Sequence, residues 1–234
     1  AQTLEALILA SSRVEVMIDA LYAKGVKSRY IAKLVSEMNK KMYLKLFTMI
    51  IPASWHNHCA LMLLGSEGRG EQILRTDQDN ALIFEEGFDP DEVTEVTQKF
   101  IEALDKIGFP RCEGNVMMIN PKWCKSIGAY KKEMDTWFDK PSMDGFMDMA
   151  IFVDSIAVGG DEQLHRELMV YLGQKVQENK QILTYFAKAV ENFESPLGLF
   201  SQFVSHDKAH KNEIDIKKSA LFALVHGVRA LALE

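Results

Sequence analysis

The chain has 234 residues, with 33 acidic against 27 basic side chains for a net charge of −6, and 47% of it is apolar. That apolar share excludes intrinsic disorder, and the lack of a basic excess excludes simple non-specific nucleic-acid binding. The charge is uneven: residues 1–50 carry eight bases against four acids, whereas residues 51–234 carry nineteen against twenty-nine. A polyanionic partner of the acidic part would therefore need a cation at its site.

Cys59, Cys112 and Cys124 cannot pair completely and none stands at Cys-x-x-Cys spacing, which points to free thiols in a reducing, cytoplasmic compartment. The longest apolar runs, Leu46–Ile51 and Cys59–Leu64, fall far short of the ~20 residues that span a bilayer. No basic segment precedes an apolar one at the start, so no signal peptide is visible. The chain begins with Ala1 and still reads as helix over Val228–Glu234; the expectation is a piece cut from a longer protein.

In chain order, Leu4, Leu7, Ile8, Val14, Met17, Ile18 and Leu21 recur at helical spacing, Gly25 interrupts, and Ser28 is placed to cap a second helix through Ile31, Leu34, Val35 and Met38 to Ile50. Pro52 ends it. The run from Cys59 to Leu64, stopped by Gly65, predicts a buried strand, and Asp77 to Phe84 a second one. Val93, Val96, Phe100, Ile101 and Leu104 predict a helix over 91–107, with Gly108 just past its end. Met147 to Val158 reads as a third strand, closed by a Gly159-Gly160 turn, and helix returns from Asp161 with an interruption at Ser195-Pro196-Leu197-Gly198. The predicted fold is α/β (α+β): an N-terminal helical segment over 1–53, a core with a small mixed sheet over 54–160, and a C-terminal helical domain over 161–234.

The chemistry concentrates in Gly65-Ser66-Glu67-Gly68-Arg69-Gly70-Glu71, followed by Asp77-Gln78-Asp79. A glycine at a strand end lets a phosphate approach the backbone, a helix starting there offers its unbonded N–H groups, and Ser66 adds a hydroxyl donor. Strand side chains alternate, so Asp77 and Asp79 project on one side. Two carboxylates there suit Mg2+, a hard ion that shares oxygen ligands with substrate phosphates.

This pattern resembles the nucleotidyltransferase superfamily that includes DNA polymerase β, whose signature is Gly-Ser at a strand end and Asp-x-Asp on the next strand; here Ser66 to Asp77 spans eleven positions. The fuller string is similar to the branch of the PII-protein uridylyltransferase and the glutamine-synthetase adenylyltransferase. It resembles more closely still the nucleotidyltransferase family found beside CBS and cyclic-nucleotide-binding domains in bacterial signalling proteins. Cys112-Glu113-Gly114-Asn115-Val116-Met117, Asn120-Pro121-Lys122-Trp123, Phe152-Val153-Asp154, Ile214-Asp215-Ile216-Lys217-Lys218 and Arg229 to Leu233 extend the match over nearly the whole chain.

The resemblance implies two-metal transfer of NMP from an NTP to a protein or small-molecule hydroxyl, with Mg2+ or Mn2+ as cofactor. It also implies CBS or cyclic-nucleotide-binding partner domains in the same full-length chain, upstream of Ala1. By position, Gly65 and Ser66 match the phosphate-contacting pair and Asp77 and Asp79 the metal ligands. Asp154 is the third catalytic and metal-binding carboxylate, with Asp148 the alternative on the same strand face. Gly68 and Arg69 belong to the phosphate loop, Asn115 lines the pocket, and Lys217 covers the triphosphate. Where related chains read Phe-Asp-Leu-Arg, this one has Val153-Asp154-Ser155-Ile156, and the missing arginine keeps open a non-catalytic nucleotide sensor coupled to CBS domains. His56-Asn57-His58-Cys59 reads as a strand-entry loop rather than a zinc cluster, and Cys112 and Cys124 as small core residues rather than a redox pair.

Overall fold

A computed structural model describes residues 3–192, 216 and 220–234. Helix α1 spans Leu4–Ala23 and α2 spans Ser28–Ile50. The Thr3 hydroxyl accepts the Ala6 N–H at 3.2 Å and caps α1, and Gly25, at φ +72, makes the turn between the two. The expected Ser28 cap is not formed. Lys27 holds the N-cap position, in extended backbone and without a side-chain bond, so Ser28 already lies in the first turn.

Four strands form one mixed sheet in the order β3-β2-β1-β4: β1 Cys59–Leu63, β2 Asn80–Phe84, β3 Cys124–Ser126 and β4 Ile156–Gly160. β2 and β4 run antiparallel to β1, and β3 runs parallel to β2. β1 and β2 are buried along their whole length, which is why both read as unbroken apolar runs. Over Gly65–Gly68 lies a single helical turn, α3, and α4 spans Val93–Ile107. Phe100, Ile101, Leu104 and Ile107 form the buried side of α4, and Gly108 at φ +102 ends it. They join Leu7, Val14 and Ile18 of α1 and Val35, Tyr43, Leu46 and Phe47 of α2 in one core. Tyr43 packs its ring against Phe100 and Phe109 at 6.4 and 5.3 Å. Each such fully buried side chain contributes about 1.5–3 kcal/mol.

Two expectations need correction here. Met147 to Val158 is not one strand: α6 covers Met143–Val153, and β4 follows after a turn at Asp154. Asp148 is therefore helical and does not share a strand face with Asp154. The Gly159-Gly160 pair is not a turn but part of β4; a side chain at Gly160 would collide with the Cys59 carbonyl on β1.

The remaining α-helices among the described residues are α5 Ile127–Asp139, α7 Glu162–Glu178, α8 Gln181–Lys188 and α9 Phe222–Leu233. The fold class is mixed α/β, a small four-stranded mixed sheet flanked by helices. The chain divides into two compact units, Ala1–Lys132 with Asp154–Met169, and Glu133–Val153 with Val170–Glu234. The first holds the sheet. In the second, whose described residues are mostly helical, the Tyr171 hydroxyl donates to Asp135 at 2.6 Å, Lys175 pairs with the same carboxylate at 2.7 Å, and the His226 ring stacks on Phe186 at 4.1 Å. The Ser195–Gly198 interruption and Lys217 lie outside the described residues. No helix among the described residues is long and apolar enough to cross a membrane.

Candidate functional site

The β1–β2 ladder ends with Leu63 opposite Asn80, and the Leu64 N–H continues it by donating to the Asp79 carbonyl at 3.1 Å. The next residue, Gly65, is thereby brought against Asp79. It sits at φ +55, and a Cβ there would lie 2.7 Å from Asp79 Oδ2. Glycine is required twice over, by the backbone angle and by the carboxylate beside it. The expected helix beyond Gly65-Ser66 is only the one turn of α3, whose first N–H groups have no acceptor within the turn. Gln72 Nε2 donates to Ser66 Oγ at 2.9 Å and to Thr76 Oγ1 at 2.6 Å. That bond occupies an acceptor site of the Ser66 hydroxyl and leaves its hydrogen to be donated.

The stretch Asp77 to Asn80 alternates in burial. Gln78 and Asn80 are fully buried, and Asp77 and Asp79 are half-buried on the other side. The buried pair is firmly tied. Gln78 donates its N–H to the Pro110 carbonyl at 2.9 Å and its Nε2 to Asp105 Oδ1 and the Phe109 carbonyl, each at 3.0 Å. Asn80 donates its N–H to the Val116 carbonyl and accepts the Met118 N–H at Oδ1, again at 3.0 Å. The aspartates precede β2 rather than opening it, since the regular strand starts at Asn80.

Among the described residues, the one grouping of side chains able to hold a metal ion is Asp77, Asp79 and Cys112, whose ligand atoms lie within 4.8 Å of one another. Burial pushes the Cys112 thiol up to about 12; its hydrogen bond to Asp79 and the charges of Asp79 and Asp77 add to this, against a backbone bond at Val116. Burial keeps Cys112 a thiol that donates to Asp79, and the two carboxylates of the group supply the oxygen ligands that a hard divalent cation prefers.

Asp154 stands outside that grouping. Its nearly buried carboxylate pairs with Arg69, which also pairs with Glu71. Gly68 serves this arrangement, because a Cβ there would strike the Asp154 carbonyl. Asn115 adopts the left-handed φ of +53 in a turn; its N–H donates to the Cys112 carbonyl and its own carbonyl accepts from Asn120 Nδ2, each at 3.0 Å. The structure thus brings together Gly65, Asp77 and Asp79, ties Ser66 to the loop through Gln72, and joins Gly68 and Arg69 to Asp154. It places Asp148 on α6.

Gln72 carries no signal in the sequence, and Cys112, expected as a small core residue, stands half-buried beside the aspartates. Cys112 reaches the aspartates through pairing of the 109–116 stretch with Gln78 and Asn80, and no spacing rule announces that. His56 Nε2 is bonded to the Ile51 carbonyl at 2.9 Å, His58 Nδ1 to Glu85 at 2.6 Å, and Cys59 is buried in β1. A groove of about 460 Å3 near Phe84, Phe88, Pro90 and Cys124 contains none of the candidate site residues; it lies beyond the other end of β2 from the aspartates.

Residues 180–234 match a family model described as a putative nucleotidyltransferase substrate binding domain. No curated protein matches the chain. Residues 12–144 match the model described as putative nucleotidyltransferase DUF294. That stretch is more than half of the chain and holds the Gly65-Ser66 turn, both aspartates and Cys112, while Asp154 falls between the two matched regions. The chain belongs to the DUF294 nucleotidyltransferase family.

Proposed function

We propose that this protein transfers a nucleoside monophosphate from an NTP to a hydroxyl of a protein or small molecule, in the manner of the PII-protein uridylyltransferase. The full-length chain would be a signalling protein that also carries CBS or cyclic-nucleotide-binding domains. The observation that carries this reading is the placement of Asp77 and Asp79 side by side against the Gly65-Ser66 turn.

The site fits Mg2+ or Mn2+: two half-buried carboxylates offer ligand oxygens close together, and the missing side chain at Gly65 keeps a Cβ from crowding Asp79 Oδ2. Such ions, when bound, lower the pKa of the attacking hydroxyl and offset charge on the triphosphate and leaving pyrophosphate. Asp77 and Asp79 would hold them. The Ser66 hydroxyl and the N–H groups of the α3 turn would bind phosphate oxygens, with Arg69 and Lys217 adding positive charge. Asn115 would line the nucleotide pocket, and Asp154 would serve the nucleophile side. Calorimetry with each of the four NTPs and Mn2+ is expected to show binding of at least one, and pyrophosphate release on adding candidate acceptors. A folded protein that binds none would overturn the reading.

The ion pair between Arg69 and Asp154 favours a second reading. With that carboxylate engaged by arginine and outside the Asp77–Asp79 grouping, the module would bind a nucleotide without turning it over and report its presence to regulatory domains. Tight NTP binding without pyrophosphate release would select this alternative.

A further inference from the structure

Between the phosphate-turn residues and Arg69 stands Glu67, an acid buried to 2% exposure. Its Oε2 accepts a hydrogen bond from Asn39 Nδ2 of α2 at 3.1 Å, and Asn39 is itself fully buried. Three further oxygens in this polar cluster, Glu67 Oε1, Asn39 Oδ1 and Ser36 Oγ, are buried without a hydrogen-bond partner. Ser36, Asn39 and Tyr43 stand at helical spacing on one face of α2. The far end of the loop touches that face too: Gly70, at φ +66, would place a Cβ 3.1 Å from Ser36 Oγ. The 65–70 loop therefore rests on α2 at Glu67 and again at Gly70.

An ionised carboxylate here would bury a charge with one oxygen unserved, which is costly. A neutral carboxyl carries a hydrogen to donate, beside a face of α2 that holds two buried acceptors lacking one. We propose that Glu67, in its neutral form, is a positioning residue that fastens the Gly65-Ser66 turn to α2 through Asn39 and so presents the turn to the nucleotide. The nucleotide part of this statement rests on the function proposed above; the fastening does not.

The charged and titratable groups around Glu67 are consistent with a neutral acid. Burial pushes its carboxyl up to about 7, opposed by the Asn39 hydrogen bond and by the charge of Lys40 on α2. Tyr43, also on α2, is held well above its ordinary range chiefly by burial, so it brings no charge to Glu67. Arg69 on the same loop is engaged with Glu71 and Asp154. Because the folded value exceeds the unfolded one, the stability linked to this group is greatest below the unfolded pKa and is lost as pH rises through about 7.

The test measures hydrogen-exchange protection of residues 65–70 in the wild type and in Glu67→Gln, Glu67→Ala and Asn39→Ala variants, alongside NTP affinity with Mn2+. Glu67→Ala and Asn39→Ala should lower protection by about tenfold, the worth of one buried hydrogen bond, while Glu67→Gln, which keeps a neutral amide, should hold it. Between about pH 6 and about pH 8.5 the wild type should lose protection and Glu67→Gln should not. Unchanged protection in Glu67→Ala, or the same pH profile in wild type and Glu67→Gln, overturns the fastening, as does collapse of Glu67→Gln itself. If the wild type binds no NTP, the proposed function fails and the exchange data still decide the fastening. If NTP binds and Glu67→Ala binds it as tightly as the wild type, the link to the nucleotide is wrong.

Discussion

Two acid-bearing stretches, Asp77 to Asn80 at the head of the strand expected over Asp77–Phe84, and Met147 to Val158, both suggest strand in the sequence, and only the first is extended where its carboxylates lie. In the first, polar residues alternate with polar residues. Gln78 and Asn80 turn inward and make hydrogen bonds to the 109–118 stretch, so Asp77 and Asp79 must face the other way. In the second, apolar residues run almost continuously, and Met149 and Ala150 are buried with the preceding Phe146 at helical spacing. A continuous apolar run does not distinguish a buried helix from a buried strand, because both faces are apolar in either case. Alternation that is enforced by buried hydrogen bonds carries more information than hydrophobicity.

The sharpest way to break this contrast is at the place where the second stretch meets the loop of the first. Gly68→Ala should force the Asp154 backbone away and lower stability by more than about 3 kcal/mol in urea unfolding, with the pairing of Arg69 to Asp154 lost. Asp79→Asn should weaken Mn2+ binding by about a hundredfold, or ~2.7 kcal/mol, in a titration, since it removes a ligating charge. Asn80→Ala should cost about 2 kcal/mol of stability, because the buried Met118 N–H then has no acceptor. The smallest effect on metal binding is expected at Asp148→Asn, since that carboxylate lies on α6 and not in the Asp77–Asp79 group: Mn2+ affinity should not change in the same titration. A loss of metal binding there comparable to Asp79→Asn would erase the distinction between the two stretches.

Much of the fold was legible. The 3.6-residue spacing of Val93, Val96, Phe100 and Leu104 and the closing Gly108 locate α4 to within two residues at its start, and Gly25 marks the turn between α1 and α2. The strand β1 was legible as a short apolar run ended by glycine. What stayed hidden depended on contacts far apart in the chain. The three-residue β3 is too short for periodicity to register. The seating of Cys112 against Asp79 follows from the pairing of Gln78 and Asn80 with the 109–116 stretch, and the bond from Gln72 to Ser66 from the path of a loop with no regular structure. Arg69 could be read as a cation near phosphates; that it grips Asp154 could not, because the strand assigned to Asp154 is a helix end.

Arg75 gives the loop a second attachment. Its Nη2 donates to the Ser11 carbonyl at 2.6 Å, its Nη1 reaches the Ile107 carbonyl at 3.2 Å and Glu15 at 3.3 Å, and its guanidinium lies over the Phe109 ring. The guanidinium works as a rivet through three layers: the first helix, the end of α4 and the loop that leads to the aspartates. A tug on α1 is therefore delivered a few residues from Asp77, and that helix forms part of the anvil on which the carboxylates are set.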